Sequence, residues 1–209
     1  MNKIIPSIMI KNIITLILSL LLVLSCSNQL NSQNIDKKDN NMNENNIPQN
    51  AKYAYFASGC FWGTEYWFEK NKGIYSVVSG YAGGHKANPT YQEVCTGLTG
   101  HLEAVRVCYN PDETTYDDLV KLFFETHNFS QKNGQGPDIG PQYLSAIFYQ
   151  TNEEKEIAEK YIKILKEKYQ VVATTVREYK NFYEAEDYHQ NYYAKKGSIP
   201  YCHFYKKIF

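Results

Sequence analysis

Apolar and polar positions divide this chain into three stretches. From Ile13 to Leu24 nearly every residue is apolar, from Ser27 to Asn50 almost none is, and from residue 51 onward apolar side chains recur with regular periods. In the third stretch a period of two, or a short apolar run, predicts strands at Lys52–Ala57, Ile74–Gly80, Leu102–Tyr109, Leu144–Tyr149 and Val171–Glu178. Helical spacing fills the gaps between them. It covers Phe61–Lys70, a short helix opened by Asn88-Pro89 and running through Val94, and two longer helices, Tyr116–Thr126 and Asn152–Tyr169. The longer pair begin at Thr115-x-x-Asp118 and Thr151-x-x-Glu154, which have capping-box form. From Gly197 the periodicity stops, leaving an irregular aromatic tail. Strands and helices interleave without a regular βαβ repeat, which favours a mixed α+β sandwich over a doubly wound parallel sheet.

The first two stretches do not read as part of that fold. Lys3 and Lys11 precede an apolar run too short to span a membrane comfortably but of the right size for a secretory signal. It ends in Val23-Leu24-Ser25-Cys26, which has the form of a bacterial lipoprotein processing site: the chain is cut before Cys26, and that thiol is acylated. The expected organisation is a signal peptide over 1–25, a lipidated cysteine and Asn-rich tether over 26–50, and one folded domain over 51–209. The tether has too little apolar surface to offset its ordering entropy. As a flexible chain it reaches roughly 25–30 Å from the membrane surface. The protein is then exported and membrane-anchored, on the periplasmic or cell-surface side. An ordinary signal peptide, or an uncleaved anchor with an incidental cysteine, is the alternative.

Charge adds little: basic and acidic side chains balance at 22 each, so bulk electrostatics points to no nucleic-acid partner. The chemistry concentrates at Gly59-Cys60-Phe61-Trp62-Gly63, between the first strand and the first helix. A thiol at a helix N-terminus feels the positive end of the helix dipole, which favours thiolate. Glycines on both sides permit close approach, and Phe61 with Trp62 can wall an apolar pocket beside the sulfur. Position alone also fits a buried structural cysteine. A second candidate is Glu103, which alternation places on one strand face with Val105 and Val107, while Arg106 falls on the other. A carboxyl sharing an apolar face is pushed towards its protonated form, the form a general acid needs. A strand-end carboxylate turned to solvent is the competing reading.

The pentapeptide Gly59–Gly63 resembles the signature of the A-type peptide methionine sulfoxide reductases. The likeness runs from about Lys52 to Cys202. It includes Gly80-Tyr81-Ala82-Gly83-Gly84, Asn88-Pro89-Thr90-Tyr91, Gly100-His101-Leu102-Glu103-Ala104-Val105 and Tyr188-His189-Gln190. That resemblance implies a mixed β-sheet flanked by helices in a two-layer sandwich, with a ferredoxin-like core. It implies reduction of methionine-S-sulfoxide, free or in oxidised proteins, with Cys60 as nucleophile and Glu103 as acid. Tyr91 and Tyr143 would donate to the sulfoxide oxygen, Phe61 and Trp62 would form the methyl pocket, and Asp138 with His189 would hold the substrate main chain. Cys202 would resolve a Cys60 sulfenic acid to a Cys60–Cys202 disulfide, recycled by a thioredoxin-like or other external dithiol. No metal or organic cofactor is implied, and the protein is expected to act as a monomer. The loop Asn128–Gln142 departs from the commoner family pattern, with Asn128-Phe129-Ser130-Gln131 for Asp-Pro-Thr-Gln and Gly140-Pro141-Gln142 for Gly-Thr-Gln. Fine substrate contacts are where that departure bears.

Apart from Cys26, four cysteines remain, with no Cys-x-x-Cys spacing, so zinc is not expected. Cys108 alternates onto the strand face opposite Glu103 and reads as a core thiol; Cys95 reads as structural. Cys202 sits in a tail expected to be mobile, as a resolving thiol requires. Two rival readings stay open: another thiol enzyme, a cysteine peptidase or acyltransferase with His101 or His189 as base, and a lipid-anchored binding protein whose cysteines are inert.

Overall fold

The computed structural model of the chain describes residues 47–209. The expected signal peptide, Cys26 and most of the expected tether lie outside the described residues. In chain order the elements are β1 (Lys52–Ser58), α1 (Phe61–Glu69), β2 (Ile74–Ala82), α2 (Tyr91–Cys95), β3 (Leu102–Tyr109), α3 (Tyr116–Glu125), β4 (Gly134–Gln135), β5 (Asp138–Ile139) and a 3-10 turn at Pro141–Tyr143. Then follow β6 (Ser145–Tyr149), α4 (Asn152–Lys168), β7 (Thr175–Glu178), β8 (Phe182–Glu184) and α5 (Tyr192–Lys196).

Six strands form one sheet in the order β7-β6-β1-β3-β2-β8, with β4 and β5 paired as a separate ribbon. Every pairing in the large sheet is antiparallel except β6 with β7. The central strands β6-β1-β3-β2, with α1 between β1 and β2 and α3 between β3 and β6, make the βαββαβ order of a ferredoxin-like core. This is the expected α+β class. Alternation along β1 and β3 sorts the core. Ala54, Phe56, Val105 and Val107 face the helices and pack with Phe61, Phe68, Leu119 and Phe123. Tyr55, Ala57, Leu102 and Ala104 face the other way, with Ala146 and Phe148, under Tyr179 and Phe182. Arg106 falls on this second side, as alternation required, and pairs with Glu184 at 2.6 Å.

Four local expectations need correction. The short helix starts at Tyr91, with Thr90 as cap and Glu93 closing a reciprocal capping box, while Asn88 sits at a φ of 45° outside it. Thr90-x-x-Glu93 satisfies two helix-end N–H groups and Asn88-Pro89 satisfies none. The strand expected over Val171–Glu178 is reduced to β7, because upstream Ala173 N–H donates to Phe129 O (2.7 Å) and Thr174 Oγ1 meets Ser145 Oγ (2.7 Å). The helix-like stretch around His189 is a run of turns in which the Gln190 amide pairs with both backbone groups of Ser79, at 2.9 Å each. A side chain thus supplies what another residue of strand β8 would have supplied. Finally, the tail is not a free end. Lys206 N–H donates to Glu125 O (2.7 Å), and the Ile208 and Phe209 N–H groups donate to Glu125 Oε1 at 2.8 and 3.0 Å.

Candidate active site

Cys60 is the N-cap residue of α1, and its carbonyl accepts the first helical bonds from Gly63 and Thr64. Its position follows from β1 ending at Ser58 and Gly59 turning at a φ of 96°, where a side chain would be strained and would run into Gln135. The thiol is 6% exposed. Trp62 N–H points at the sulfur, the helix-end stabilisation that the sequence implied. It does not prevail in the resting arrangement. The Cys60 thiol donates to the Cys202 sulfur, and this bond, burial and the neighbouring Glu103 together push it well above the ordinary thiol range. Cys202 is shifted the other way, below the ordinary thiol range, by the bond from Cys60 and by His203. The helix-end bond that favours a Cys60 thiolate is thus opposed, while the tail is seated, by the neighbouring Cys202 sulfur.

Glu103 lies on the helix side of β3, 1% exposed, and its Oε2 accepts the Phe61 N–H at 3.0 Å. Burial raises its carboxyl to about 8 against that bond, so it is largely protonated at neutral pH. The Tyr91 hydroxyl hydrogen-bonds that of Tyr143, and both phenols lie close enough to Glu103 for its charge to raise them. Cys60, Glu103, Tyr91 and Tyr143 thus share one chamber under the start of α1.

Phe61 is fully buried among Tyr81, Tyr91 and His189, while Trp62 stacks on Tyr192 with ring centroids 3.7 Å apart and planes 5° from parallel. Trp62 Nε1–H donates to His189 Nδ1 at 3.1 Å. An indole only donates, so this nitrogen must accept, and burial holds the ring neutral, which puts its proton on Nε2. That buried Nε2–H has no hydrogen-bond partner among the described residues, and neither has Asp138 Oδ2. The other oxygen of Asp138 accepts from the Tyr201 hydroxyl at 3.1 Å. The loop before Asp138 keeps a defined shape despite its unusual sequence. Asn128 Oδ1 accepts from Ser130 N–H at 3.1 Å, and Gln131 clamps both backbone groups of Gly136.

Neither rival base reaches Cys60. His101 Nδ1 accepts from Gly84 N–H and its Nε2 meets Lys86 O, which holds the loop after β2. His189 is committed to Trp62. Cys95 is exposed on α2 and takes a hydrogen bond from Tyr91, while Cys108 is buried in the sheet as expected.

Sequence reasoning missed three supports. Glu186 accepts from Tyr91 N–H (2.9 Å) and from the Tyr81 hydroxyl (2.7 Å), fixing the start of α2 against the turn that carries His189. Gln135 donates to Cys202 O at 2.9 Å. His203, directly after Cys202, was passed over as part of an aromatic tail; a histidine adjacent to a thiol was the available signal.

A family model described as peptide methionine sulfoxide reductase matches residues 52–208. The chain is 47% identical over 152 residues to a Thermus thermophilus protein named peptide methionine sulfoxide reductase MsrA, covering 72% of this chain and 86% of that one. Among solved structures it resembles Mxr1 of Saccharomyces cerevisiae in reduced form, with a TM-score of 0.70 and 35% identity over 76% of this chain and 94% of that one. Mxr1 in complex with Trx2 also matches, with a TM-score of 0.52, 26% identity and coverage of 76% and 92%.

Proposed function

The chain belongs to the A-type peptide methionine sulfoxide reductases, and from that premise we propose how its own residues carry out the reduction. A sulfoxide sulfur accepts a nucleophile, but its oxygen leaves only as it gains a proton. Cys60 supplies the sulfur, and Glu103 supplies the proton from a carboxyl already neutral at pH 7. Tyr91 and Tyr143 donate hydrogen bonds to the oxygen as its charge develops. Phe61 and Trp62 take the methyl group, which explains why Tyr192 braces the indole from one side. The methionine main chain goes to His189 Nε2–H and Asp138 Oδ2, which have no hydrogen-bond partner among the described residues, Nε2 lying 3.9 Å from Glu186 Oε2, and which are costly to leave buried without one. Substrate entry withdraws Cys202, and with it the largest influence holding the proton on Cys60.

In this scheme the first step releases methionine and leaves a sulfenic acid on Cys60. Cys202 condenses with it to a disulfide and water, and an external dithiol reduces the bond by exchange. The complex of Mxr1 with Trx2 supports a thioredoxin-type protein as that reductant. The reading includes the S-epimer as substrate and the Cys26 processing site as the point of lipid attachment outside the cytoplasm. A Cys26→Ala chain then takes up no labelled fatty acid.

The observation that carries this mechanism is the neutral Glu103 carboxyl, fixed by Phe61 N–H in the same chamber as Cys60. The test is an epimer-resolved assay with dithiothreitol. Methionine-S-sulfoxide is consumed, the R-epimer is not, and Cys60→Ser abolishes turnover. Equal consumption of both epimers, or turnover by Cys60→Ser, would sink it.

A further inference from the structure

His203 is 1% exposed and is held on three sides. Its Nε2 lies 2.7 Å from Ser58 O, and a carbonyl only accepts, so this nitrogen carries a proton. In the neutral ring that leaves Nδ1 as an acceptor, 3.2 Å from Cys202 Sγ. The ring occupies space that exists only because residue 63 is glycine: a Cβ there would lie 2.2 Å from Nδ1. The close approach permitted by Gly63 therefore admits the imidazole of the tail, not substrate. Gln135, seated against Gly59, holds the carbonyl of Cys202 from the other side.

We propose that His203 is a further catalytic residue, the base that takes the Cys202 proton when the disulfide forms. The proposal rests on the reading above that Cys202 resolves a Cys60 sulfenic acid. Once Cys60 is a sulfenic acid it no longer has the thiol proton whose bond lowered Cys202, so the Cys202 S–H proton passes to His203 Nδ1 and the resulting thiolate attacks the Cys60 sulfur. The Cys60 S–O bond breaks with its electrons on oxygen. The oxygen leaves as water, carrying the proton that His203 returns. The Cys202 sulfur is oxidised, the Cys60 sulfur is reduced, and no further reactant is needed. The Ser58 carbonyl keeps the ring in the required tautomer and steadies the imidazolium that forms, as an orienting group does for any catalytic histidine. The other titratable groups around the pair are Glu103, Asp138, Tyr193, Tyr201, His127 and Cys60; of these only Cys60 hydrogen-bonds Cys202, and in this step its sulfur is the one attacked.

The test uses the full chain in single turnover, following methionine release and disulfide formation on the same sample from pH 6 to 9. With an internal base, the disulfide step of the parent is nearly flat across this range. In His203→Gln, which retains a donor for Ser58, and in His203→Asn, the step falls about 10- to 100-fold relative to methionine release at pH 7. The gap closes by pH 9, as the unaided thiol ionises. A parent profile that itself rises tenfold per pH unit overturns the proposal, even if neither variant folds. So does a variant with the parent's rate, or one slowed by the same factor at every pH, which is a packing defect only. Absence of any methionine release in the parent would instead refute the functional reading beneath it.

Discussion

The sharpest consequence of the site concerns Glu103→Gln. Glutamine preserves the volume and keeps an oxygen to accept the Phe61 N–H, now met at 3.0 Å, so the start of α1 is not disturbed. It donates hydrogen bonds but transfers no proton. Because the carboxyl is raised to about 8, about nine-tenths of the parent enzyme carries that proton at pH 7. The variant therefore loses nearly the full benefit of acid catalysis there, about 10²- to 10⁴-fold in the rate of methionine release, equivalent to roughly 3–5 kcal/mol in the barrier. The pH profile adds a second, independent signature. Release needs Cys60 ionised and Glu103 protonated, so the parent profile has two breaks, which belong to the interacting pair. The variant keeps only the break set by Cys60. Rapid-quench measurement of methionine from one turnover, between pH 6 and 10, reads both effects without interference from recycling. A variant within about threefold of the parent at pH 7, or one that keeps both breaks, would show that the oxygen gains its proton elsewhere.

Other perturbations test the surrounding parts. Cys202→Ser completes one turnover and then accumulates Cys60 sulfenic acid, seen as a mass gain of one oxygen; sustained turnover with a thioredoxin would remove Cys202 from the cycle. Gly63→Ala gains about 1 kcal/mol of helix propensity but places a methyl into the His203 ring, an overpacking cost of about 1–3 kcal/mol. A urea midpoint no higher than the parent's is expected, with a net loss of up to about 2 kcal/mol, together with faster alkylation of Cys202; protection equal to the parent's would mean the ring does not hold the tail. Glu65 is 1% exposed, raised by burial to about 8, and its Oε1 has no hydrogen-bond partner among the described residues. Between pH 4.5 and 8 the folded state holds a proton there that the unfolded chain has released, so stability falls as pH rises through that window. Glu65→Gln removes this loss, worth up to about 5 kcal/mol above pH 8, whereas urea midpoints matching the parent at both pH 6 and pH 9 would refute the assignment.

The parts of the fold legible in the sequence are those where a single local rule decides. β3 alternates cleanly, so its bounds, the inward turn of Glu103 and the outward turn of Arg106 all follow from a period of two. α3 and α4 begin at the threonines expected as caps. Illegible parts are those where a distant group replaces a local signal. Gln190 completes hydrogen bonding at Ser79 from 111 residues away, and Glu125 anchors a tail with no periodicity of its own. β8 is three residues long, too short to show alternation, and exists because β2 extends to Ala82 and offers it an edge. At the site, the motifs pointed to Cys60, Glu103, both tyrosines and Cys202, and these lie together. A helix end and a tail thiol are visible in sequence; that the tail sulfur seats against Cys60 before any substrate arrives is not.

That opposing sulfur also explains how one loop serves two states. Tyr201 occupies Asp138, and Cys202 occupies Cys60, so the tail holds atoms that the substrate needs in both places. Both contacts lie between fixed points, the end of α5 at Gly197 and the bonds of Lys206, Ile208 and Phe209 to Glu125. In the proposed mechanism substrate would therefore displace residues 198–205 as a strap and not as a free end, and the strap would return when methionine leaves. While it is closed, Cys60 is buried and its thiol is pushed above the ordinary range, which in the proposed mechanism slows its reaction with oxidants because thiolate is the species they attack. The same closure sets Cys202 against the sulfur that substrate has just oxidised. Under that mechanism, protection of the idle nucleophile and resolution of the spent one would be a single contact, made before and after the chemical step.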